Sequence, residues 1–258
     1  MPYKNLQNDS IAYFDTKFLH LINGSNGMVT GNSVEEALNQ GISEICERYS
    51  FDLLVRKPQE TYYELSEDAI HNLDLLSIIK TLKEKYCLHI YDLSYNFAMP
   101  TVLTVLIDPN TFCIYPSFGS FPIFDIALER CLTELYQGVY SYTSHKYMEK
   151  RQKPFNNKKF FDSEILYFNN YSGSPIFFDD IFLHTKKIDT ISSLYCQQEN
   201  ATNSDLVSYY KDLLLKLNID CYYYDNSLTD EMCSLFIAFT NKIVLKSTYL
   251  GMKNTLSP

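Results

Sequence analysis

Hydrophobic residues recur with helical period in four segments of the chain, and these segments predict four helices. The clearest helix begins after Ser33, which forms a capping box with Glu36 three residues later, and it ends before Pro58. The predicted helices span residues 33–56, 66–86, 120–143 and 204–218.

Runs rich in β-branched and aromatic residues, bounded by turn residues, predict strands. They span residues 11–22, 87–94, 100–108, 111–119, 219–225 and 233–247. Because helices and strands do not alternate regularly, the pattern predicts the α+β class, with mixed or antiparallel sheets packed against helices. Between residues 145 and 200 the pattern weakens, and we interpret this segment as a connector or an insertion.

The helix at 33–56 carries polar residues in one line along its side. At 100° per residue, Gln40, Glu44 and Glu47 follow the spacing i, i+4, i+7, opposite a broad apolar stripe, and Arg48 flanks them. We refer to Gln40, Glu44 and Glu47 as the first polar row. A helix on the surface of any protein shows acids opposite its apolar face, so on this helix alone a solvated face is the favoured interpretation.

A second helix repeats the pattern. Arg130, Glu134 and Gln137, the second polar row, have the same i, i+4, i+7 spacing opposite another apolar stripe. Aligning EALNQGISEICER with IALERCLTELYQG matches Glu44 with Glu134 at a constant offset of 90 residues, and a short glycine loop precedes each helix. The pattern therefore predicts an internal repeat of a glycine loop followed by an acidic helix. We expect the two helices to face each other across a cleft.

Two lines of carboxylates and amides supply hard oxygen ligands, which suit Mg²⁺, and protein-bound Mg²⁺ usually accompanies phosphates. Arg48 and Arg130 are expected to neutralise phosphate oxygens, and backbone N–H groups of the loop at Asn26 and Gly27 to approach them. Neither GxxxxGK[ST] nor GxGxxG occurs in the chain, so a nucleotide site here is of another type.

Other uses of these residue types are weaker. Glycoside hydrolysis also needs paired carboxylates, but it needs an acid with a raised pKa and a sugar-stacking surface; the chain lacks Trp, and the arginines would keep both acids ionised. Cys87 and His89 lie on one face of a predicted strand, yet two ligands do not make a zinc site, and a buried pair is the favoured interpretation.

Composition narrows the classes of partner. The chain has 258 residues, 46% hydrophobic residues and a formal net charge of −9, which argues against direct nucleic-acid binding. Seven cysteines without a CxxC motif indicate neither a disulfide framework nor a zinc ribbon. No apolar run is long enough to span a bilayer. We therefore expect a cytoplasmic protein that does not insert into a membrane.

With these residues, the chain resembles the YcaO family of ATP-dependent enzymes that act on peptide amides. The segment SNGMVTGNSVEEALNQGISEICERYS is similar to the family's loop–helix motif ending in ExxER, and SFGSFPIFDIALERCLTELYQG is similar to its later ExxQ motif. The resemblance implies a YcaO-like fold with ATP and Mg²⁺ as cofactors. The candidate ATP- and phosphate-binding residues are Asn26, Gly27, Gln40, Arg48, Arg130 and Gln137, and the candidate Mg²⁺ ligands are Glu44, Glu47 and Glu134.

The resemblance implies the family's reaction, in which an amide oxygen of a peptide or protein substrate is phosphorylated after, or together with, attack by a nucleophile. Loss of phosphate then leaves an azoline ring or a thioamide. Within the family, the chain resembles most the branch of accessory factors for methylthiolation of a ribosomal protein. The alternatives are an azoline-forming cyclodehydratase and an incomplete homologue without catalysis. No catalytic residue is assigned.

The family's earlier SxxxExxER helix does not occur in this sequence. We therefore expect residues 1–258 to be a partial YcaO-like domain, either a piece of a longer or split protein or a minimal homologue. A partner chain that supplies the missing ATP motif, and a homo-oligomer, are both compatible with this expectation. The isolated chain is expected to bind Mg²⁺–ATP weakly or not at all.

Overall fold

The computed structural model describes residues 1–15, 27–56, 59–110, 114–142, 179–196, 200–225 and 233–240. The helices are α1 (Val34–Arg56), α2 (Leu73–Lys83), α3 (Ser94–Phe97), α4 (Phe124–Tyr142), α5 (Asp179–Leu183) and α6 (Asn203–Lys216). The strands are β1 (Pro2–Asn5), β2 (Ile11–Tyr13), β3 (Met28–Gly31), β4 (Tyr62–Leu65), β5 (Cys87–Asp92), β6 (Thr101–Ile107), β7 (Ile114–Ser120), β8 (Thr185–Ile188), β9 (Asp220–Asp225) and β10 (Cys233–Thr240).

The chain divides into two compact units. The first comprises residues Met1–Asp52 and Cys196–Pro258, and the second comprises Leu53–Tyr195. The first unit contains a five-stranded sheet in the order β2-β1-β9-β10-β3, in which every pair is antiparallel. Ile42 of α1 and Leu214 of α6 are completely buried in this unit.

The second unit contains a mixed five-stranded sheet in the order β7-β6-β5-β4-β8. Its pairs are antiparallel except β4 with β8, which is parallel. Strand β6 is buried along almost its whole length, with Val102, Leu103 and Val105 fully inaccessible, because α4 packs against β6 and β7. The predicted α+β class with mixed and antiparallel sheets is confirmed.

Both sheets have the same arrangement at one end. In the first unit β9, β10 and β3 form an antiparallel ladder, β3 is the edge strand and α1 follows it. In the second unit β5, β6 and β7 form the same ladder, β7 is the edge strand and α4 follows it. A helix also precedes the third strand from the edge in each unit, α6 before β9 and α2 before β5. The two units therefore share a spatial arrangement of three strands and two helices, whereas the offset of 90 residues relates only α1 to α4 and the strands that precede them.

The register of this repeat is visible at the contact between helix and edge strand. Helices α1 and α4 begin 90 residues apart, at Val34 and Phe124. A Cβ atom added at Gly41 of α1 would lie 2.9 Å from a methyl group of Val29 in β3. Ninety positions later, Cys131 of α4 is equivalent to Gly41, and Gly119 of β7 is equivalent to Val29. Here the glycine is on the strand instead of the helix, and a Cβ added at Gly119 would lie 2.9 Å from the backbone nitrogen of Cys131. Each contact thus contains one glycine.

Helix boundaries largely follow the sequence predictions. The helices predicted at 33–56, 120–143 and 204–218 are confirmed as α1, α4 and α6. The helix predicted at 66–86 is shorter, because Asn72 accepts hydrogen bonds from the backbone N–H groups of Asp74 and Leu75 and caps α2 there. Ser66 instead precedes a short 3₁₀ helix.

The predicted strands at 87–94, 100–108 and 219–225 are confirmed, whereas those at 11–22, 111–119 and 233–247 lie partly outside the described residues. The same holds for the segment 145–200, whose described part contains α5 and β8. Among the helices that the structure describes, none is long and apolar enough to cross a membrane.

Because Gly119 lies against backbone atoms and Gly41 against side-chain atoms, substitution by alanine is expected to have unequal effects at the two positions. We expect Gly119→Ala to lower the free energy of unfolding by roughly 1–3 kcal/mol, because the new methyl group would overlap the carbonyl oxygen of Ala127 and only a backbone shift relieves that overlap. Chemical denaturation of the variant and the wild type measures the difference.

Gly41→Ala is the matched control. Its methyl group would meet the ends of the Ile237 and Val29 side chains, which are able to move, and alanine favours a helix over glycine by about 1 kcal/mol. Equal destabilisation by Gly41→Ala and Gly119→Ala would contradict the described helix–strand contact in β7.

Candidate functional site

The start of α1 is fixed by side chains of its first residues. The backbone N–H of Glu36 donates to Ser33 Oγ at 3.1 Å, as the predicted capping box requires. The Glu36 carboxylate accepts from the backbone N–H of Asn32 at 3.0 Å, one residue earlier than in the usual form of the motif. These bonds satisfy N–H groups that a helix end leaves without partners and set where the first polar row begins.

Helix α1 is an interior element of the first unit. Its Gly41 face packs on β3 and β10. On another side, the Ser43 hydroxyl and the Tyr210 hydroxyl of α6 form a hydrogen bond of 2.7 Å, and Asn39 Nδ2 donates to the carbonyl oxygen of Asn203 at 3.0 Å. Both Ser43 and Asn39 are buried. Contacts on two sides therefore hold the helix that carries the first polar row.

The first polar row is not a solvated face. Gln40 and Glu44 are half-buried, and Glu47 is only 7% exposed. The Glu44 carboxylate accepts a hydrogen bond from the backbone N–H of Gly27 at 3.1 Å. Because carboxylates on an ordinary surface helix point into water, this burial disfavours the interpretation of the row as a solvated face.

Arg48, which flanks the row, is partly buried as well. Its Nη2 atom lies 3.6 Å from Glu47 Oε1. Its Nε atom is buried and has no hydrogen-bond partner among the described residues. A buried N–H donor of a guanidinium group without an acceptor is costly, and an anion that accepts from it would remove the cost. Asn26, the remaining predicted residue of this loop, lies outside the described residues.

The second polar row lies on a more exposed part of α4. Arg130 is half-buried, donates to the carbonyl oxygen of Ser120 at 3.4 Å and lies 5.9 Å from the centre of the Phe121 ring. Glu134 and Gln137 are exposed. The Ser117 hydroxyl lies 3.5 Å from Glu134 Oε2, at the long end of hydrogen-bond distances. The structure therefore leaves this row open to solvent molecules and ligands.

The first polar row belongs to the first unit and the second polar row to the second unit. Their joint use of one ligand stays a prediction. The sequence did not predict the hydrogen-bond donors to Glu44 and Glu134. Gly27 was expected to contact phosphate and not a carboxylate, and no role was expected for Ser117. Both donors lie 17 residues before the glutamate they contact, but this spacing indicates no contact until the strand and helix are seen to pack together.

A family model described as a YcaO cyclodehydratase that binds ATP and Mg²⁺ matches residues 1–232. The chain belongs to the YcaO family. The resemblance of its two motifs to those of the family is thereby confirmed, and ATP and Mg²⁺ are the cofactors that the family description assigns.

A curated relative is the ribosomal protein S12 methylthiotransferase accessory factor YcaO of Escherichia coli strain K12. It is 31% identical over 140 residues, which cover 54% of this chain and 24% of the relative. The matched part of the chain thus spans about a quarter of the length of that relative.

Two solved structures are similar in fold. The heterocyclase TruD superposes with a TM-score of 0.64 at 14% identity, covering 92% of this chain and 33% of TruD. YcaO from Methanopyrus kandleri, bound with AMPPCP and Mg²⁺, superposes with a TM-score of 0.56 at 15% identity, covering 95% of this chain and 65% of that one. These likenesses support the YcaO fold.

The chemistry of Glu44 and Arg48 on α1 is compatible with Mg²⁺ that arrives with a nucleotide. Within the described part of the chain, no three Asp, Glu, His or Cys side chains come together as a group that could hold a metal. Mg²⁺ commonly binds through one or two carboxylates together with waters and phosphates, and it does not require an all-protein cage. Glu44 with its held carboxylate, and Arg48 with its buried donor, match that requirement.

The pair Cys87 and His89 does not form a metal site among the described residues. Cys87 is exposed and His89 is half-buried, so the interpretation of the two as a buried pair is wrong. His89 Nδ1 lies 2.8 Å from Glu64 Oε1 of the neighbouring strand. Burial raises the pKa of Glu64, but the hydrogen bond and charge of His89 and two nearby lysines outweigh burial and leave that pKa below its usual value. We interpret this contact as a structural link between β4 and β5.

The link between α1 and α6 is testable by a double-mutant cycle. Ser43→Ala and Tyr210→Phe each remove one partner of the 2.7 Å bond, and we expect each to lower the free energy of unfolding by about 1 kcal/mol. The double variant should lose clearly less than the sum of the two single losses, because both substitutions remove the same interaction. Urea unfolding of the four proteins measures the coupling.

Ser208→Ala is the control for this cycle. Its hydroxyl donates to the carbonyl oxygen four residues earlier, as that of Ser43 does, but the residue is exposed. We expect a change within about 0.5 kcal/mol. Strict additivity of Ser43→Ala and Tyr210→Phe would show that α6 does not hold α1 through this bond.

Proposed function

We propose that this YcaO protein binds Mg²⁺–ATP through the first and second polar rows and uses the nucleotide to activate an amide of a peptide or protein substrate. The observation that carries the proposal is the partial burial of the first polar row, together with the buried Nε atom of Arg48. Burying charged groups costs free energy, and proteins retain such groups where they bind or react.

The residues of this chain have separate tasks in the proposal. Glu44, Glu47 and Glu134 supply oxygen ligands to the cation. Arg48 and Arg130 neutralise phosphate oxygens, and the buried Nε atom of Arg48 donates one of those bonds. Gln40, Gln137 and the loop at Asn26 and Gly27 complete the polar contacts. When bound, ATP supplies the phosphoryl group that makes an amide oxygen a better leaving group.

Alignment and charge stabilisation are the contributions expected from the protein in such a reaction. The first polar row, which is partly buried, is suited to both alignment and charge stabilisation, because fixed dipoles and charges act more strongly where water is excluded. No residue of the chain is assigned as nucleophile or base, because the substrate and its attacking group are not defined by the two rows.

We propose that the chain acts as an accessory factor in methylthiolation of a ribosomal protein, and the name of the Escherichia coli relative supports this choice. Azoline formation is the alternative; the likeness to TruD is compatible with it, but at 14% identity that likeness supports only the fold. In both cases a peptide or protein is the substrate, and a further chain is the proposed partner. The free cysteines Cys46, Cys131 and Cys221 support a reducing compartment such as the cytoplasm.

Nucleotide binding tests the role of the rows. We expect Glu44→Gln and Glu134→Gln each to weaken binding of Mn²⁺–AMPPCP to the chain about tenfold or more, because each removes a charged oxygen ligand. Electron paramagnetic resonance of Mn²⁺ measures the bound fraction and detects dissociation constants in the millimolar range, as the expectation of weak binding requires.

The matched controls are Glu35→Gln and Glu129→Gln, which make the same change at exposed positions of the same two helices. We expect both to bind as the wild type does. Unchanged binding in both Glu44→Gln and Glu134→Gln would indicate a site that is vestigial or lies elsewhere.

A gene deletion in cells distinguishes the accessory factor of methylthiolation from the azoline-forming alternative. Deleting the gene in the organism that encodes the chain is expected to lower methylthiolation of ribosomal protein S12, and a copy carrying Glu129→Gln is expected to restore it while Glu44→Gln does not. Mass spectrometry of S12 measures the modification. Full methylthiolation after deletion, together with loss of water from a peptide encoded nearby, would favour the azoline-forming alternative.

A further inference from the structure

The two rows share a feature that their sequences do not show. The middle residue of each row is a glutamate, and a hydrogen-bond donor 17 residues earlier contacts it. The Gly27 N–H lies 3.1 Å from Glu44 Oε2, and the Ser117 hydroxyl lies 3.5 Å from Glu134 Oε2. Gly27 and Ser117 are themselves 90 residues apart, as the two glutamates are. Both donors therefore occupy equivalent positions of the internal repeat.

The backbone conformation of Gly27 fixes the orientation of its N–H group. Its φ angle is +80°, a conformation that favours glycine, and its carbonyl oxygen accepts from the backbone N–H of Ile237 in β10 at 2.8 Å. A Cβ atom at this position would overlap the carbonyl oxygen of Ile237. The backbone is thus tied to β10 on one side and to the carboxylate of α1 on the other.

Ser117 is held in a comparable way in the second unit. It is buried in β7, and its carbonyl oxygen accepts from the thiol of Cys131 in α4 at 3.3 Å. Its hydroxyl is free to rotate about the side-chain bond, whereas the Gly27 N–H is not. The longer distance to Glu134 therefore fits a contact that shortens when the carboxylate takes up a ligand, as hydrogen bonds in unliganded sites often do.

Both donors are neutral, and this determines what they do to a carboxylate. A lysine or arginine partner would compensate the negative charge, but a backbone N–H or a hydroxyl orients one oxygen and leaves the net charge in place. Carboxylates that bind cations are commonly oriented by such neighbouring hydrogen bonds, and removing the neighbour costs about 10–100-fold in affinity.

We propose that Gly27 and Ser117 are positioning residues, which orient Glu44 and Glu134 for the cation that accompanies the nucleotide. This inference rests on the proposed function. In this proposal the Gly27 N–H donates to the Glu44 carboxylate, whereas the sequence suggested that it contacts phosphate. The proposal also gives Ser117 a role that neither motif indicates.

The first test needs no ligand. In Glu44→Ala, amide hydrogen exchange of Gly27, measured by NMR, should accelerate about tenfold or more, while Glu44→Gln, which keeps an acceptor oxygen, should retain most of the protection. Glu35→Ala, on the same helix, should leave the Gly27 rate unchanged. Equal Gly27 exchange rates in Glu44→Ala and the wild type would overturn the inference for the first row. Glu44 is substituted because a side chain at Gly27 would disturb β10.

The second test measures Mn²⁺–AMPPCP binding to Ser117→Ala. We expect the Mn²⁺ concentration for half-saturation to rise about tenfold. The control is Ser94→Ala, which removes another buried hydroxyl of the second unit, one that accepts from the Thr101 N–H at 3.1 Å. It should leave that concentration unchanged even if it lowers the melting temperature more, which separates positioning from a general loss of stability.

The two claims fail in different ways. Intact binding to the wild type with unchanged binding to Ser117→Ala would overturn the positioning role of Ser117 alone. Of the two outcomes expected from the sequence, weak binding or none, the proposal takes weak binding. Absence of Mn²⁺–AMPPCP binding to the wild type would therefore overturn the proposed function and the positioning roles with it, even if the exchange data establish the bond between Gly27 and Glu44.

Discussion

The close contact between each edge strand and the helix that follows it is the constraint on which the candidate site depends. The contact is short in both repeats and contains one glycine in each, Gly41 on the helix in the first and Gly119 on the strand in the second. Because the strand lies so near, a donor on or just before it reaches the carboxylate of the helix in both repeats. The edge strand therefore helps to orient both the half-buried Glu44 and the exposed Glu134.

The two rows differ in exposure although both helices make this contact. On helix α1, which also forms a hydrogen bond with α6, Glu47 is nearly inaccessible and Arg48 keeps a buried Nε atom. Helix α4 packs on β6 and β7 with its second polar row turned to a more open side. The first polar row is therefore a partly dehydrated set of polar groups, and the second polar row is a more accessible one.

Local patterns in the sequence were sufficient for the helices and the repeat. The capping residues Ser33 and Glu36 located the start of α1 to within one residue, and the offset of 90 residues between Glu44 and Glu134 is also the offset between the starts of α1 and α4. The start of α2 was wrong, because the side chain of Asn72 caps the helix and Ser66 does not. Pairings between distant strands, such as β1 with β9 and the parallel β4 with β8, leave no local signal. The position of Gly27 depends on another distant pairing, that of β3 with β10, so its bond to Glu44 was not predictable.

The central claim is that the glutamates of these rows bind the magnesium that accompanies a nucleotide. The most direct test is a crystal structure of the chain with AMPPCP and Mn²⁺, in which the anomalous signal locates the cation. The account predicts carboxylate oxygens of Glu44, Glu47 or Glu134 within direct coordination distance, about 2.1 Å, with Arg48 on a phosphate oxygen. A nucleotide and cation bound elsewhere, with these side chains unengaged, would contradict it.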